Sequence, residues 1–415
     1  MTRLALIDIK QLISVAAGGN KAKTGKEMRD IGIIPNGAVL IEDDRIVWVG
    51  KMENLSMADL KETDVVDCMN KIVMPGFVDS HTHAVFGGSR EEEFAMRAQG
   101  ATYQEIAARG GGILNTVRST RAASKKELKK STRRWLAGMM RHGTTTVEMK
   151  SGYGLEKNNE IKLLEVINEL KHEEVMTVVP TFLGAHAVGP EFQGRTSEYI
   201  DEVINAMLPY VVSHSLASFC DVFCEQGYFS PGETEKILTK ASSMGLKVKV
   251  HADELSSSGG AEISARCNAI SADHLEHISD DGIRALAEKK TVATLLPGVS
   301  FFLNHQYAPA RKLIDGDVPV AIATDFNPGS CMSYSMPLMM TMGCAQMKMT
   351  PEEVICAATL NGAAALNLSH EIGSIEIQKK ADLVILDIPD YRFLPYHFGE
   401  NHIYRVIKSG VVLEF

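Results

Sequence analysis

The chain has no apolar run long enough to span a bilayer, no basic cluster and no regular spacing of cysteines. The first absence excludes a transmembrane helix, which needs roughly 20 consecutive apolar residues. The second argues against nucleic acid as a partner. Fifty-two acidic against 43 basic residues leave a net charge of −9, and the pairs Lys125-Lys126 and Lys129-Lys130 lie in a mixed helical pattern that reads as a solvated face. Seven cysteines, an odd number, are scattered, and Cys220 and Cys224 have no second pair to complete a zinc site. Reduced thiols in a cytoplasmic protein are therefore expected. Arg3, Asp8 and Lys10 interrupt the first apolar residues too soon for a secretory leader. No GxGxxG follows the first strand-like run, and Gly110-Gly111-Gly112 lacks a phosphate-loop pattern.

What is present is an ordinary globular composition, 45% hydrophobic and 23% charged, in 415 residues. That length suffices for a large barrel with an additional domain. Eight apolar, β-branched runs alternate with longer helical patterns: Val73–Val78, Thr144–Met149, Met176–Phe182, Cys220–Cys224, Leu246–Val250, Ala269–Ala272, Thr291–Leu296 and Val320–Ala323. This rhythm predicts an α/β fold, a closed (β/α)8 TIM barrel over residues 73–372, with an open doubly wound sheet as the alternative. Residues 1–72 and 373–415 carry short strand-like stretches: Ala38–Glu42 and Arg45–Gly50 about a turn at Asp43-Asp44, then Ala381–Asp387 and Ile403–Val412. Neither end alone offers enough strands for a stable sheet, so both together are expected to build one small β domain.

Polar residues follow the runs with regularity. His81 and His83 follow the first, Glu148 and Lys150 end the second, and His186 follows the third. Glu225 closes the fourth, His251 and Glu254 the fifth, His274 the sixth and Asp325 the eighth. Any one histidine is more often a hydrogen-bonded structural residue than a ligand, and Asp325 alone could cap a helix. In a barrel, however, all these strand ends open onto one face. Two residues apart on a strand, His81 and His83 point the same way. With His251 and Asp325 they offer three imidazoles and a carboxylate, a donor set suited to zinc or ferrous iron.

The stretch Pro75-Gly76-Phe77-Val78-Asp79-Ser80-His81-Thr82-His83 resembles the entry motif of the amidohydrolase superfamily. That resemblance implies a TIM barrel with a small β-sandwich formed from both termini. The fourth run ends in Glu225-Gln226, where two-metal members carry a lysine, which implies one divalent ion per subunit. Further motifs narrow the likeness: His83 through Glu91, Gly110 through Ile113, Lys150 through Leu155, Phe182 through His186, and Asp325 through Ser330. They resemble members that open a cyclic amide. The implied reaction is hydrolysis of 4-imidazolone-5-propanoate to N-formimidoyl-L-glutamate by a metal-activated water. Glu254, His274 and Asp325 are then the catalytic candidates. Arg90, Tyr153, His186, Glu254, Asn327, Gly329 and Ser330 are the candidates for holding substrate, with Arg90 as a bidentate carboxylate clamp. The bland alternative for Arg90 is a surface ion pair with Glu91–Glu93. Glycines at 87–88 and 110–112 are expected to let loops close over the site. A cytoplasmic homodimer is also implied. Two other functions use the same residues: a mononuclear deaminase of an aminated heterocycle, and a barrel that binds without catalysis.

Overall fold

The computed structural model describes residues 2–19, 21–56, 58, 60–101, 105 and 110–414. The eight expected runs form eight parallel strands that pair in sequence order: Phe77–Asp79, Thr144–Lys150, Thr177–Ala185, Phe219–Cys224, Lys247–Ala252, Ser271–His274, Val292–Leu295 and Val320–Ile322. Every residue of Thr144–Lys150 is buried, as expected of a parallel strand covered on both faces, and this is why the runs read as continuous rather than alternating. Crossover helices lie between strands. Those at Lys125–Arg141 and Pro231–Ser243 begin with reciprocal capping boxes, Ser124 with Glu127 and Ser230 with Glu233, which satisfy two otherwise orphaned backbone donors apiece.

The barrel closes between its first and eighth strands through a short seam. Asp325 N donates to His81 O at 3.0 Å and His83 N to Phe326 O at 3.0 Å. One turn below, the buried Asp79 carboxylate accepts from Thr324 N at 3.0 Å and Thr324 Oγ1 at 2.6 Å.

A second sheet is built from both ends of the chain, in the order Val411–Leu413, Ile403–Lys408, Leu383–Leu386, Ile72–Pro75, Arg3–Ile13, Ile33–Glu42, Arg45–Lys51, with Asp64–Asp67 also pairing with Arg3–Ile13. Its side chains alternate. Val73, Leu383, Ile385 and Ile407 join a core of the sheet's own, whereas Ile72, Met74, Val384, Leu386 and Val406 join the barrel core.

Two expectations need correction. The run Val73–Val78 is not one strand: it divides at Gly76, with Ile72–Pro75 in the terminal sheet and Phe77–Asp79 in the barrel. A Cβ at Gly76 would overlap the Thr145 side chain, so the crossing needs glycine. Ile403–Val412 is likewise two strands, turned at Ser409 (φ 49°) and Gly410 (φ 79°). Both breaks fall at a glycine inside a strand-like stretch, and only the pairing separates the two strands on either side.

The two sheets meet at a buried ion pair. Lys408 Nζ lies 2.6 Å from Asp382 Oδ2 and donates to Thr177 Oγ1 of the third barrel strand at 2.8 Å. Asp382 also accepts from Ser409 N through Oδ1 (2.9 Å), and its carbonyl accepts from Gly76 N (2.8 Å). Both side chains are almost fully buried, so removing one partner strands a charge. We predict that Lys408→Met lowers unfolding free energy by roughly 3–5 kcal/mol and that adding Asp382→Leu recovers most of it. Denaturant unfolding checks this; a single-variant loss below about 1 kcal/mol would contradict it.

Candidate active site

At the carboxyl end of the barrel the seam residues turn their side chains inward. The nitrogens of His81 and His83 and an oxygen of Asp325 form one group of donor atoms within 4.8 Å of one another. His81 and His251 form a second such group with His274, and His83 and His251 a third with His186. His81 Nε2 and His83 Nε2 each lie 3.4 Å from Asp325 Oδ1. The other Asp325 oxygen is occupied: Oδ2 accepts from Asn327 Nδ2 at 3.0 Å and Ser330 Oγ at 3.2 Å.

His81 Nε2 and Asp325 Oδ1 are buried without a hydrogen-bond partner, an arrangement that costs free energy unless something fills the space between them. Nearby, His251 Nε2 and His83 Nε2 face each other at 3.3 Å. Burial, followed by the Lys150 ammonium for His81 and the neighbouring His186 ring for His83, holds both imidazoles well below their usual pKa. They are thus neutral, the form that donates a lone pair to a metal. His81 and His83 with Asp325, and His251 within reach of both imidazoles, form overlapping sets of donors whose chemistry fits one divalent cation.

Beneath these donors is a charged layer, in which Glu148 and Lys150, the polar residues expected at the end of the second run, meet Asp221, Lys249 and Asp273. Asp273 Oδ2 lies 2.6 Å from His81 Nδ1, and Asp221 Oδ2 lies 3.0 Å from His251 Nδ1. Lys150 Nζ sits 2.7 Å from Asp221 and 2.8 Å from Glu148, and Lys249 Nζ 3.3 Å from both Glu148 and Asp273. All five side chains are fully buried. Burial would push the Lys150 ammonium down, but Asp221, Glu148 and Asp273 outweigh it and raise its pKa. The signal was available in the sequence: charged residues recur at alternate positions inside otherwise apolar strands. Such residues fix imidazole tautomer and ring orientation.

The remaining expected residues surround the same point. His274 has φ 80°, a region unusual for a side chain of this kind; its Nε2 is 3.7 Å from Glu254 Oε2 and its Nδ1 3.8 Å from Glu276 Oε2. Burial, then the Glu225 carboxylate, pushes Glu254 up to about 8. Tyr153 is buried 5.7 Å, centroid to centroid, from the His83 ring, and His186 stacks on His83 at 4.9 Å. Asn327 Oδ1 accepts from Gly329 N and Ser330 N at 2.7 and 2.8 Å. Arg90 makes the ion pair expected of its bland alternative, with Glu93 at 2.7 Å, yet it also packs on Gly329, where a Cβ would overlap Nη1.

Loops that carry these groups are tethered by acceptors. Glu160 accepts from Gly152 N, Gly154 N and Leu155 N, around Tyr153. Glu225 accepts from Leu255 N and Ser256 N, next to Glu254.

The sequence profile of the amidohydrolase family matches residues 72–413. The chain is similar to the imidazolonepropionase of Clostridium tetani, 48% identical over 400 residues, 96% of each chain. It is 49% identical over 398 residues to that of Parabacteroides distasonis, 95% of each. In fold it is similar to Escherichia coli guanine deaminase, with a TM-score of 0.73 at 16% identity over 100% of this chain and 99% of that one. It is similar too to an adenosine deaminase of Xanthomonas campestris with bound zinc, with a TM-score of 0.70 at 18% identity over 99% and 92%. The barrel, the second sheet drawn from both termini, the convergent histidines and the near full-length likeness agree: the chain belongs to the amidohydrolase family.

Proposed function

We propose that this protein is a metal-dependent hydrolase that opens the cyclic amide C–N bond of 4-imidazolone-5-propanoate to give N-formimidoyl-L-glutamate, a step of histidine degradation. The observation that carries this is the end-to-end likeness to the imidazolonepropionases, and the disposition of Arg90 and Glu254 supports it. His81, His83, His251 and Asp325 would hold the ion; zinc and ferrous iron both suit them. When bound, such an ion lowers the pKa of a water ligand and polarises a carbonyl.

The residues around that point divide the remaining work. Glu254, beside His274, accepts the proton of the attacking water and returns it to the departing ring nitrogen. His274 orients that exchange or holds the developing oxyanion, and Asp325 is both ligand and a second candidate base. Arg90 grips the substrate propionate. Tyr153 and His186 hydrogen-bond to the ring or carboxylate, and Asn327, Gly329 and Ser330 present polar groups to the amide-like end of the product. A cytoplasmic homodimer completes the proposal. Light scattering at twice the 45.3 kDa chain mass would support the dimer, and scattering at the chain mass would overturn it.

Two kinetic outcomes are expected. Purified protein with its metal restored consumes fresh imidazolonepropanoate, seen as loss of ring absorbance, and chelation abolishes the activity. No turnover at full metal content would overturn the substrate, and ammonia release from an aminated heterocycle would favour a deaminase instead. Glu254→Gln lowers kcat by about 10²–10⁴. The working base is the carboxylate, populated above its pKa, and a bound cation favours that charged form. Hence kcat/KM in the parent enzyme climbs with pH through a midpoint at or below about 8, and this limb is missing in the Gln variant. An unchanged limb would remove Glu254 from the proton path.

A further inference from the structure

Glu93 is an almost fully buried acid on the short Glu91–Ala98 helix. Its Oε2 accepts from Arg90 Nε at 2.9 Å, Arg90 Nη2 at 2.7 Å and Gly112 N at 3.2 Å, and its Oε1 from Asn115 Nδ2 at 3.0 Å. A guanidinium carries five N–H donors in a rigid plane. Glu93 takes the side edge, one hydrogen from Nε and one from Nη2. Among the described residues none accepts from the end edge, one hydrogen each of Nη1 and Nη2, the fork that matches a carboxylate with two parallel hydrogen bonds. Nη1 is packed against Gly329, where a Cβ would overlap it, and Gly329 N is itself held by Asn327 Oδ1, whose amide nitrogen bonds Asp325. The free edge of Arg90 is thereby fixed relative to the carboxylate that faces the imidazoles.

We propose that Glu93 is a positioning residue: it clamps the side edge of Arg90 so that the end edge is pre-aimed at the substrate's carboxylate, and it ties the Gly112 backbone to the same guanidinium. The ion pair that looked like an alternative to substrate binding is on this view its prerequisite. An unrestrained arginine would lose side-chain entropy each time it bound; Glu93 removes that cost before substrate arrives. The inference rests on the proposed substrate, whose propionate is what Arg90 would hold.

The test compares Glu93→Ala, Glu93→Gln and Arg90→Ala with the parent holoenzyme, on imidazolonepropanoate and on the matching propionamide, which lacks the carboxylate. Melting temperature and bound metal are measured for each. Glu93→Ala is expected to raise KM for the carboxylate substrate roughly ten- to a hundred-fold, the scale of a charge-assisted hydrogen bond. Its kcat stays within about three-fold and its kinetics on the propionamide are unchanged. Glu93→Gln keeps an oxygen toward Arg90 and Gly112 and should recover most of the loss. Unchanged KM in Glu93→Ala, or equal losses on both substrates, would overturn the positioning role. Unchanged KM in Arg90→Ala would instead overturn the carboxylate clamp itself, and the positioning role with it.

Discussion

Charge balance in the barrel interior is the constraint on which the site depends. Glu148, Asp221, Asp273 and Asp325 are buried carboxylates, and Lys150 and Lys249 are the ammonium groups packed among them. Isolated charges at such depth are prohibitively costly, so the layer persists only as a compensated network. Lys150 pairs with Glu148 and Asp221 and Lys249 with Glu148 and Asp273, while Asp325 faces the imidazoles, where a divalent cation would offset its charge. Burial and then Glu254 drive the Asp325 pKa well above the usual carboxylate range. The same network aims the ligands, because Asp273 and Asp221 occupy the Nδ1 sides of His81 and His251 and leave the Nε2 atoms to face inward.

Fold and site are consequently one problem. The backbone of His81, His83 and Asp325 makes the hydrogen bonds that join the first strand to the eighth. Closing the barrel therefore brings two candidate donors after the first strand to the candidate donor after the last, and the fifth strand supplies His251. Rigid strand ends carry the metal donors, while the groups suited to touch substrate ride on loops whose backbone amides are tied to Glu93, Glu160 and Glu225. Precision is thus graded from the strands outward, as catalysis by positioning requires.

Much of this was legible in the sequence for identifiable reasons. Parallel barrel strands are buried on both faces, so each of the eight announces itself as an apolar run, and the polar residue ending each run marks the open face. His81, His83, His251, Asp325, Glu254, His274 and Arg90 were all found this way or through motif likeness, and the structure gathers them at one end of the barrel. What escaped notice was of two kinds. The breaks at Gly76 and at Ser409-Gly410 fall within short strand-like stretches, and three-dimensional pairing assigns their two sides to different strands. The supporting charges Asp221, Lys249 and Asp273 lie within strands and read individually as noise in an apolar pattern, and Glu148 and Lys150 stood out only as polar residues at a strand end. Their meaning depends on partners 70 to 170 residues away, such as Lys249 with Ser80 and Lys150 with Asp221.

The central claim is that the buried charges and the four donors specify a single divalent ion. Anomalous diffraction from crystals of the metal-loaded enzyme, recorded at the zinc and iron edges, addresses it directly. The account predicts one anomalous peak per chain, enclosed by His81, His83, His251 and Asp325. Two peaks in the barrel, or one peak whose neighbours exclude those four residues, would contradict it.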